Sequence, residues 1–428
     1  MAKPKLTITE GPTCSGNQSA EYSRRKFLFG AAATAISAAV TSVGGHAQES
    51  HGCPQENTNP QHADGMFDWQ FPSKDAEATW KERSFSVDRW WGNFSHDLPD
   101  QMDMFGDNPW AIGPFTKHPG NPVLEPTPGS WDEGRLSGGV HNGAIILKDG
   151  RFHYVYRGER PIDIPPNSSM DYICDIGVAV STDGVHFTKD TRHSPFFRMG
   201  EDRKYSYEDV NIARKSDTYH LFCNQWFWEQ QGDTSINGTF LATSTDLLQW
   251  TRVGIVFLHA KRIHRNAVVL QNPQNEAVKV NGKYVMYIND GLIAYSTDMI
   301  HWESQENLHR WPGGECCFAL ADHNPERPDD IILFTGGAHT GHFYAVGEVL
   351  LSKADPAKPL KWLPRPVLFA EPKYPFEHGF AAKAPHKLIS AFADCIFFNA
   401  LTRHEGKWWL YYGGSEYYTC LATSPTKT

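Results

Sequence analysis

The chain has 428 residues, a formal net charge of −9 from 40 Lys+Arg against 49 Asp+Glu, and an aromatic content of 13%. This balance leaves no basic face to meet a phosphate backbone, which argues against nucleic acid as a partner and favours a neutral ligand. Eight Cys do not make a disulfide scaffold in a chain this long, while 36 Gly and 28 Pro point to many turns between short strands.

Residues 1–47 read as an address rather than as fold. Ser23-Arg24-Arg25-Lys26-Phe27-Leu28 precedes a small apolar run to Val43 and then Gly45-His46-Ala47, a small-x-small cleavage signal. The pattern resembles a twin-arginine export signal. Its Ala-dominated apolar stretch is shorter than the ~20 residues a stable membrane span needs. The expectation is a chain handled by the twin-arginine translocase, without stable membrane insertion afterwards, and periplasmic or secreted. Residues 48–104 follow as a polar, Pro/Asn/Gln-rich linker and an irregular or short helical segment carrying Trp80, Trp90 and Trp91.

From residue 105 to 428 one unit recurs five times, which predicts an all-β fold, a five-bladed β-propeller. A β-type run ending in a polar or glycine break appears at Phe152–Gly158, Tyr219–Gln225, Tyr284–Asn289, Ile331–Gly336 and Trp408–Gly413. A second run follows each and ends near Ser181, Ser244, Ser296, Ser352 or Ser424. Those serines are 63, 52, 56 and 72 residues apart, a suitable size for four-stranded blades. The first three continue Ser-Thr-Asp and reach Phe187, Trp250 or Trp302, which reads as an Asp-closed turn before an outer strand. A two-sheet sandwich would not repeat one unit five times. Cys174, Cys223, Cys395 and Cys420 fall inside these apolar strands and read as buried thiols. Cys316-Cys317 lacks the spacing of a metal site, and no metal or cofactor is expected.

In a propeller the innermost strands and the loops of one face surround an axial pocket. Polar groups arrive before the core strand of each blade: His141-Asn142-Gly143, then Glu208-Asp209, then His264-Arg265-Asn266, then Glu315, then Glu377-His378 with Asp394. Asn142, Glu208, His264, Arg265, Asn266, His378 and Asp394 are therefore candidate substrate contacts, with Trp226 placed to stack on a sugar ring.

The order Asn121-Pro-Val-Leu, Asn142-Gly-Ala, Ile176-Gly-Val-Ala-x-Ser-x-Asp-Gly, Glu208-Asp209, Arg265-Asn266-Ala-Val, Asn281-Gly-Lys-Tyr-Val-Met and Tyr411-Tyr-Gly-Gly resembles glycoside hydrolase family 130, the β-mannoside phosphorylases and β-1,2-mannosidases, over about residues 115–425. The resemblance implies an inverting enzyme with Asp209 as general acid and Arg265-Asn266 as an anion-contacting pair. Three departures concern the anion: Val210-Asn211 stands where Pro-Arg is usual, Ile288-Asn289 where a further Arg is expected, and Glu315 where phosphorylases tend to supply Lys. A phosphate site needs convergent cations, so water is the expected nucleophile.

The chemistry supports the same reading independently. Hydrolysis with inversion needs one carboxylic acid for the leaving oxygen and one carboxylate, about 6.5–9.5 Å away, to activate water. Asp209 is the acid candidate, with Glu315 and Glu377 competing for the base. The expected protein is an exported glycoside hydrolase acting on small oligosaccharides or chain ends, with a β-mannoside as one candidate substrate. The alternatives are a non-catalytic propeller that binds carbohydrate or protein, and a β-mannoside phosphorylase.

Overall fold

A computed structural model describes residues 101–134, 138–161, 172–197, 205–227, 237–259, 265–306, 315–336, 338–339, 343–371, 373–377 and 394–426. The export-signal reading falls outside these residues, as do His264 and His378. Five separate sheets form five blades. Blade one comprises Val140–Lys148, Arg151–Pro161, Tyr172–Ser181 and Thr188–Lys189. Blade two comprises Tyr205–Lys215, Thr218–Phe227, Asn237–Ser244 and Thr251–Leu258. In both, neighbouring strands pair antiparallel in chain order from the axis outward. Blade three has Val268–Val269, Lys283–Ile288, Leu292–Ser296 and Glu303–Glu306, with Lys279–Val280 beside it. Blade four runs Glu315–Ala321, Asp330–Gly336, Gly347–Ser352 and Lys361–Trp362.

Blade five borrows its outermost strand. Asp394–His404, Lys407–Gly414 and Tyr418–Pro425 are followed in the sheet by Thr116–Lys117, whose Thr116 pairs with Thr423. On its axial edge Phe343–Tyr344 runs parallel to the start of Asp394–His404. Asn121 reinforces the closure, its Oδ1 accepting from the Leu421 amide at 2.7 Å and its Nδ2 donating to the Leu421 carbonyl at 2.9 Å.

The apolar cores lie between blades. Ile146, Val155, Ile176 and Val178 of blade one meet Tyr207, Ile212 and Leu221 of blade two. Phe222 and Leu241 meet Met286 and Ile288 at the next interface, and Val285 and Tyr287 meet Ala319, Leu333 and Val349 at the third. Between blades four and five, Phe318, Phe334 and Phe398 pack with Met104, Phe105 and Trp110 of the helix Gln101–Asp107 and the turn that follows it. The closing interface is built on stacked rings, with Tyr154 stacked on Tyr156 (5.9 Å) and on Tyr411 (5.8 Å) and Phe152 stacked on Trp409. Such pairs add about 0.5–1.5 kcal/mol each beyond the area they bury. Much of the chain's aromatic surplus therefore serves blade packing.

The Asp-closed turns have the expected geometry. Ser181, Ser244 and Ser296 donate through Oγ to Asp183, Asp246 and Asp298 at 2.8, 3.0 and 3.1 Å. The same Asp oxygens accept backbone amides two and three residues on. Hydrogen bonds from His186 and His301, with those amides, hold Asp183 and Asp298 well below the usual carboxylate range. Cys174, Cys223, Cys316, Cys317, Cys395 and Cys420 are buried free thiols.

Candidate active site

The repeated runs legible in the sequence are the second and third strands of each blade. The polar residues that precede them lie largely in the innermost strands themselves. Several of those strands carry a bulge, an extra residue that interrupts the ladder and re-aims a side chain. The register shifts between His141 and Ala144 in blade one, Glu208 and Asn211 in blade two, Cys316 and Phe318 in blade four, and Phe398 and Ala400 in blade five.

At the bulges of blades one and two, and just before the inner strand of blade three, Asn142, Asp209 and Asn266 take left-handed backbone with φ of 48°, 58° and 53°. Asn and Asp tolerate that conformation better than other residues with a side chain. Gly143 is required beside Asn142, since a Cβ there would come within 2.5 Å of the Val155 carbonyl oxygen.

The bulges bring Asn142 and Asp209 together: Asn142 Nδ2 donates to Asp209 Oδ1 at 2.8 Å. The Asn142 amide donates to Asn399 Oδ1 at 3.1 Å, tying blade one to blade five. Arg157 Nη2 approaches His141 Nε2 at 2.8 Å, and His141 Nδ1 lies 2.7 Å from Asn142 Oδ1. A guanidinium can only donate, so Nε2 is the acceptor and the ring proton sits on Nδ1, donating to Asn142. Burial and the neighbouring Arg157 push His141 well below the ordinary histidine range, so it is neutral.

Four carboxyl groups gather with two guanidinium groups here among the described residues. Arg157 pairs with Glu159 and lies 3.7 Å from Glu208. Arg265 Nη2 donates to Glu315 Oε1 at 3.2 Å, and Tyr344 Oη donates to the same oxygen at 3.3 Å. Burial alone would lower the Arg265 guanidinium, but Glu315 and Asp209 hold it charged. The Cys174 thiol lies between Glu159 and Glu208, 3.7 Å from each.

Asp209 stands apart in this cluster. Desolvation raises its pKa to about 7, with Arg265 and Arg157 opposing and Glu208 and Glu315 reinforcing. Its Oδ2 is buried with no hydrogen-bond partner among the described residues, and Glu315 Oε2 is in the same position. A carboxyl group of this kind can hold a proton near neutral pH and offer it to a ligand.

Of the residues singled out in the sequence, Asn142, Glu208, Asp209, Arg265, Asn266 and Glu315 converge at this end of the inner strands. Asn266 is buried, and its Oδ1 has no partner among the described residues. Glu377 does not join them. It is fully buried, accepts from Lys117 Nζ (2.6 Å) and the Glu371 amide (2.9 Å) on one oxygen, and from Tyr412 Oη (2.7 Å) on the other. Both oxygens are engaged in the blade-five closure, which corrects its reading as a candidate base. Trp226 is buried, on the second strand of blade two opposite Ser206. Asp394 begins the inner strand of blade five beside Phe343. Sequence reasoning missed the roles of Arg157, Glu159, Tyr344 and Asn399. Arg157-Gly158-Glu159, a charged end on an otherwise apolar run, was the available signal for the first two.

The fold is a five-bladed β-propeller, and the chain is similar to mannoside phosphorylases and to solved structures of glycoside hydrolase family 130. The chain is 27% identical over 310 residues to a 1,2-β-oligomannan phosphorylase of Thermoanaerobacter sp. (strain X514), spanning 69% of this chain and 92% of that protein. It is 24% identical over 282 residues to a β-1,2-mannobiose phosphorylase of the same organism, spanning 61% of this chain and 84% of that one. A solved structure from the GH130 family of mannoside phosphorylases, described as containing glycoside hydrolases that target β-1,2 mannosidic linkages in Candida mannan, superposes with a TM-score of 0.59. At 22% identity, covering 77% of this chain and 96% of that one, the likeness is one of fold. No protein-family model matches the chain.

Proposed function

We propose that the protein is an exported, inverting glycoside hydrolase acting on β-1,2-linked mannosides, with Asp209 as general acid and Glu315 as general base. The observation that carries the reading is the pair of buried, unpartnered carboxyl oxygens, Asp209 Oδ2 and Glu315 Oε2, on groups that both interact with Arg265. Asp209 passes its proton to the glycosidic oxygen as the bond to the anomeric carbon breaks. Glu315 takes a proton from the water that attacks that carbon from the opposite face, so the configuration inverts. Arg265 holds Glu315 in place through the 3.2 Å hydrogen bond to Oε1.

Phosphorolysis is the second reading, favoured by the names of both curated relatives. The charge balance weighs against it. Arg157 is engaged by Glu159 and Arg265 by Glu315, and with Glu208 and Asp209 the carboxyl groups outnumber the guanidinium groups, leaving little to compensate a phosphate dianion. The deciding measurement is product analysis with β-1,2-mannobiose. Free mannose should appear at the same rate with and without inorganic phosphate, and the first product should be the α-anomer. Mannose 1-phosphate formed only with phosphate would establish the second reading, and no turnover of any manno-oligosaccharide would leave a binding propeller.

The export part rests on Ser23–Ala47. Replacing Arg24 and Arg25 together by Lys should leave precursor in the cytoplasm, whereas the wild-type chain should be recovered outside it with its N-terminus after Ala47. Equal recovery outside the cytoplasm would remove the twin-arginine reading.

A further inference from the structure

The Asn142 side chain, expected to meet substrate, is occupied on both sides by protein, Oδ1 by His141 and Nδ2 by Asp209. These bonds belong to a chain that begins at Arg157, and its direction is fixed throughout. Arg157 donates to His141 Nε2, His141 Nδ1–H donates to Asn142 Oδ1, and Asn142 Nδ2–H donates to Asp209 Oδ1. We propose that Arg157, His141 and Asn142 are a positioning relay that fixes the Asp209 carboxyl group, making Oδ2 the oxygen from which its proton leaves. The proposal rests on Asp209 being the acid.

The geometry explains the selection. An oxygen that already accepts an N–H is a poorer place for the acidic proton than one with no donor beside it. Oδ1 is filled in this way, and Oδ2 has no protein partner among the described residues. A half-turn of the protonated carboxyl group would set its O–H against the Asn142 N–H, so the proton stays on the Oδ2 side.

His141 is the element that makes the relay one-way. Protonated, it would turn Nε2–H against a guanidinium N–H. Neutral, it can only pass the polarisation of Arg157 toward Asn142. Arg157 is anchored by Glu159, so the far end is held as well. The relay also spans the blade one to blade two interface, so the orientation of the acid depends on how those two inner strands sit.

Other charged and titratable groups also face Asp209. They are Glu208 on its own strand, Arg157 from blade one, Cys223 from the second strand of blade two, Arg265 at blade three, and Glu315 and Cys317 from blade four. Substitutions at Asn142 and His141 alter none of them, and Asn142→Gly adds no charge, so a change in its pH profile reports on the Asn142 bond.

The test compares Asn142→Asp, Asn142→Gly, His141→Gln, the double variant His141→Gln/Asn142→Asp, and Asp209→Asn on β-1,2-mannobiose and on 2,4-dinitrophenyl β-mannoside, whose leaving group needs no proton. Asn142→Asp and Asn142→Gly both suit a left-handed backbone and remove the donor, one with an added carboxylate and one without. Each should lower kcat on mannobiose about 10–100-fold with KM within about twofold, and keep the aryl mannoside rate. The basic limb of the pH profile should move upward in both, more in Asn142→Asp, where a second carboxylate faces the acid. His141→Gln should cost less, about 5–10-fold, and the double variant no more than Asn142→Asp alone, since links of one chain are not additive. The Asp209 carboxyl signal, followed by carbon NMR without substrate, should titrate higher in the Asn142 variants.

If Asp209→Asn retains full activity on mannobiose, the acid reading fails and the catalytic role of the relay falls with it. If Asp209→Asn is inactive but the Asn142 variants, folded by their thermal transitions, keep the wild-type rate and pH limb, the relay alone is overturned. Losses that multiply in the double variant would also overturn it, by showing that His141 does not act through Asn142.

Discussion

Asp209→Asn should lower kcat/KM for β-1,2-mannobiose by about 10²–10⁴-fold, the contribution of a positioned general acid. The loss should nearly vanish on 2,4-dinitrophenyl β-mannoside. The amide matches the carboxyl group in shape and keeps an oxygen for Asn142, so the fold has no reason to change. What is removed is the proton. The same proton sets the pH dependence of the wild-type protein. Desolvation raises the Asp209 pKa to about 7, so the group is a competent donor below that value and an incompetent carboxylate above it. Above about pH 7, kcat/KM should fall about tenfold per unit, because this quantity reports the free enzyme. A flat profile to pH 9, or equal losses on both substrates, would remove Asp209 from the acid role.

Glu377→Gln should act on stability rather than on turnover. Lys117 and Glu377 are both buried, at 7% and 0% exposure, and Glu377 is held by three donors. Neutralising one partner of a buried pair leaves the other charge uncompensated and costs about 3–5 kcal/mol. The lower end is expected here, because Lys117 keeps the Phe369 carbonyl at 2.7 Å and Glu371 at 3.2 Å. The thermal transition should drop by several degrees, while kcat at 25 °C stays near wild type in the folded fraction. A large fall in kcat with an unchanged transition would return Glu377 to the chemistry and displace Glu315.

The propeller was legible because its turns are encoded locally. Ser181, Asp183 and the aromatic Phe187 specify a turn and an outer strand whatever the rest of the chain does, and the pattern returns at Ser244 and Ser296. The innermost strands were not legible as strands, since they carry the polar side chains of the axis. The pairing of residues 205–215 is broken at Asp209 by a bulge that periodicity cannot reveal. The convergence of Asp209 with Glu208, Arg265 and Glu315 was legible because charged residues interrupt apolar runs at matching points. Glu377 was misread for a reason no local pattern could correct, since its partner Lys117 lies 260 residues away in sequence. Arg157 was hidden differently. It lies in the second half of the strand Arg151–Pro161, whose apolar residues pack between blades, and only the fold shows it meeting His141, Glu159 and Glu208.

The borrowed strand of blade five has a consequence for the order of assembly. Thr116–Lys117 leaves the ribosome about three hundred residues ahead of Tyr418–Pro425, the strand it must join. Until the last segment is made, the early strand has no partner and Lys117 has no burial site. Blades one to four can form as they emerge, each on the one before, but the circle closes in a single late event whose entropic cost reflects a loop nearly as long as the domain. Asn142 takes its amide bond from Asn399, so the floor beneath Asp209 is completed in that same event. An incomplete chain would therefore hold most of its blades but not the Asn399–Asn142 contact beside Asp209. A circular permutant opened between blades, with Thr116–Lys117 placed directly after Pro425, would turn this slow closure into a local hairpin and shift the late step to another interface.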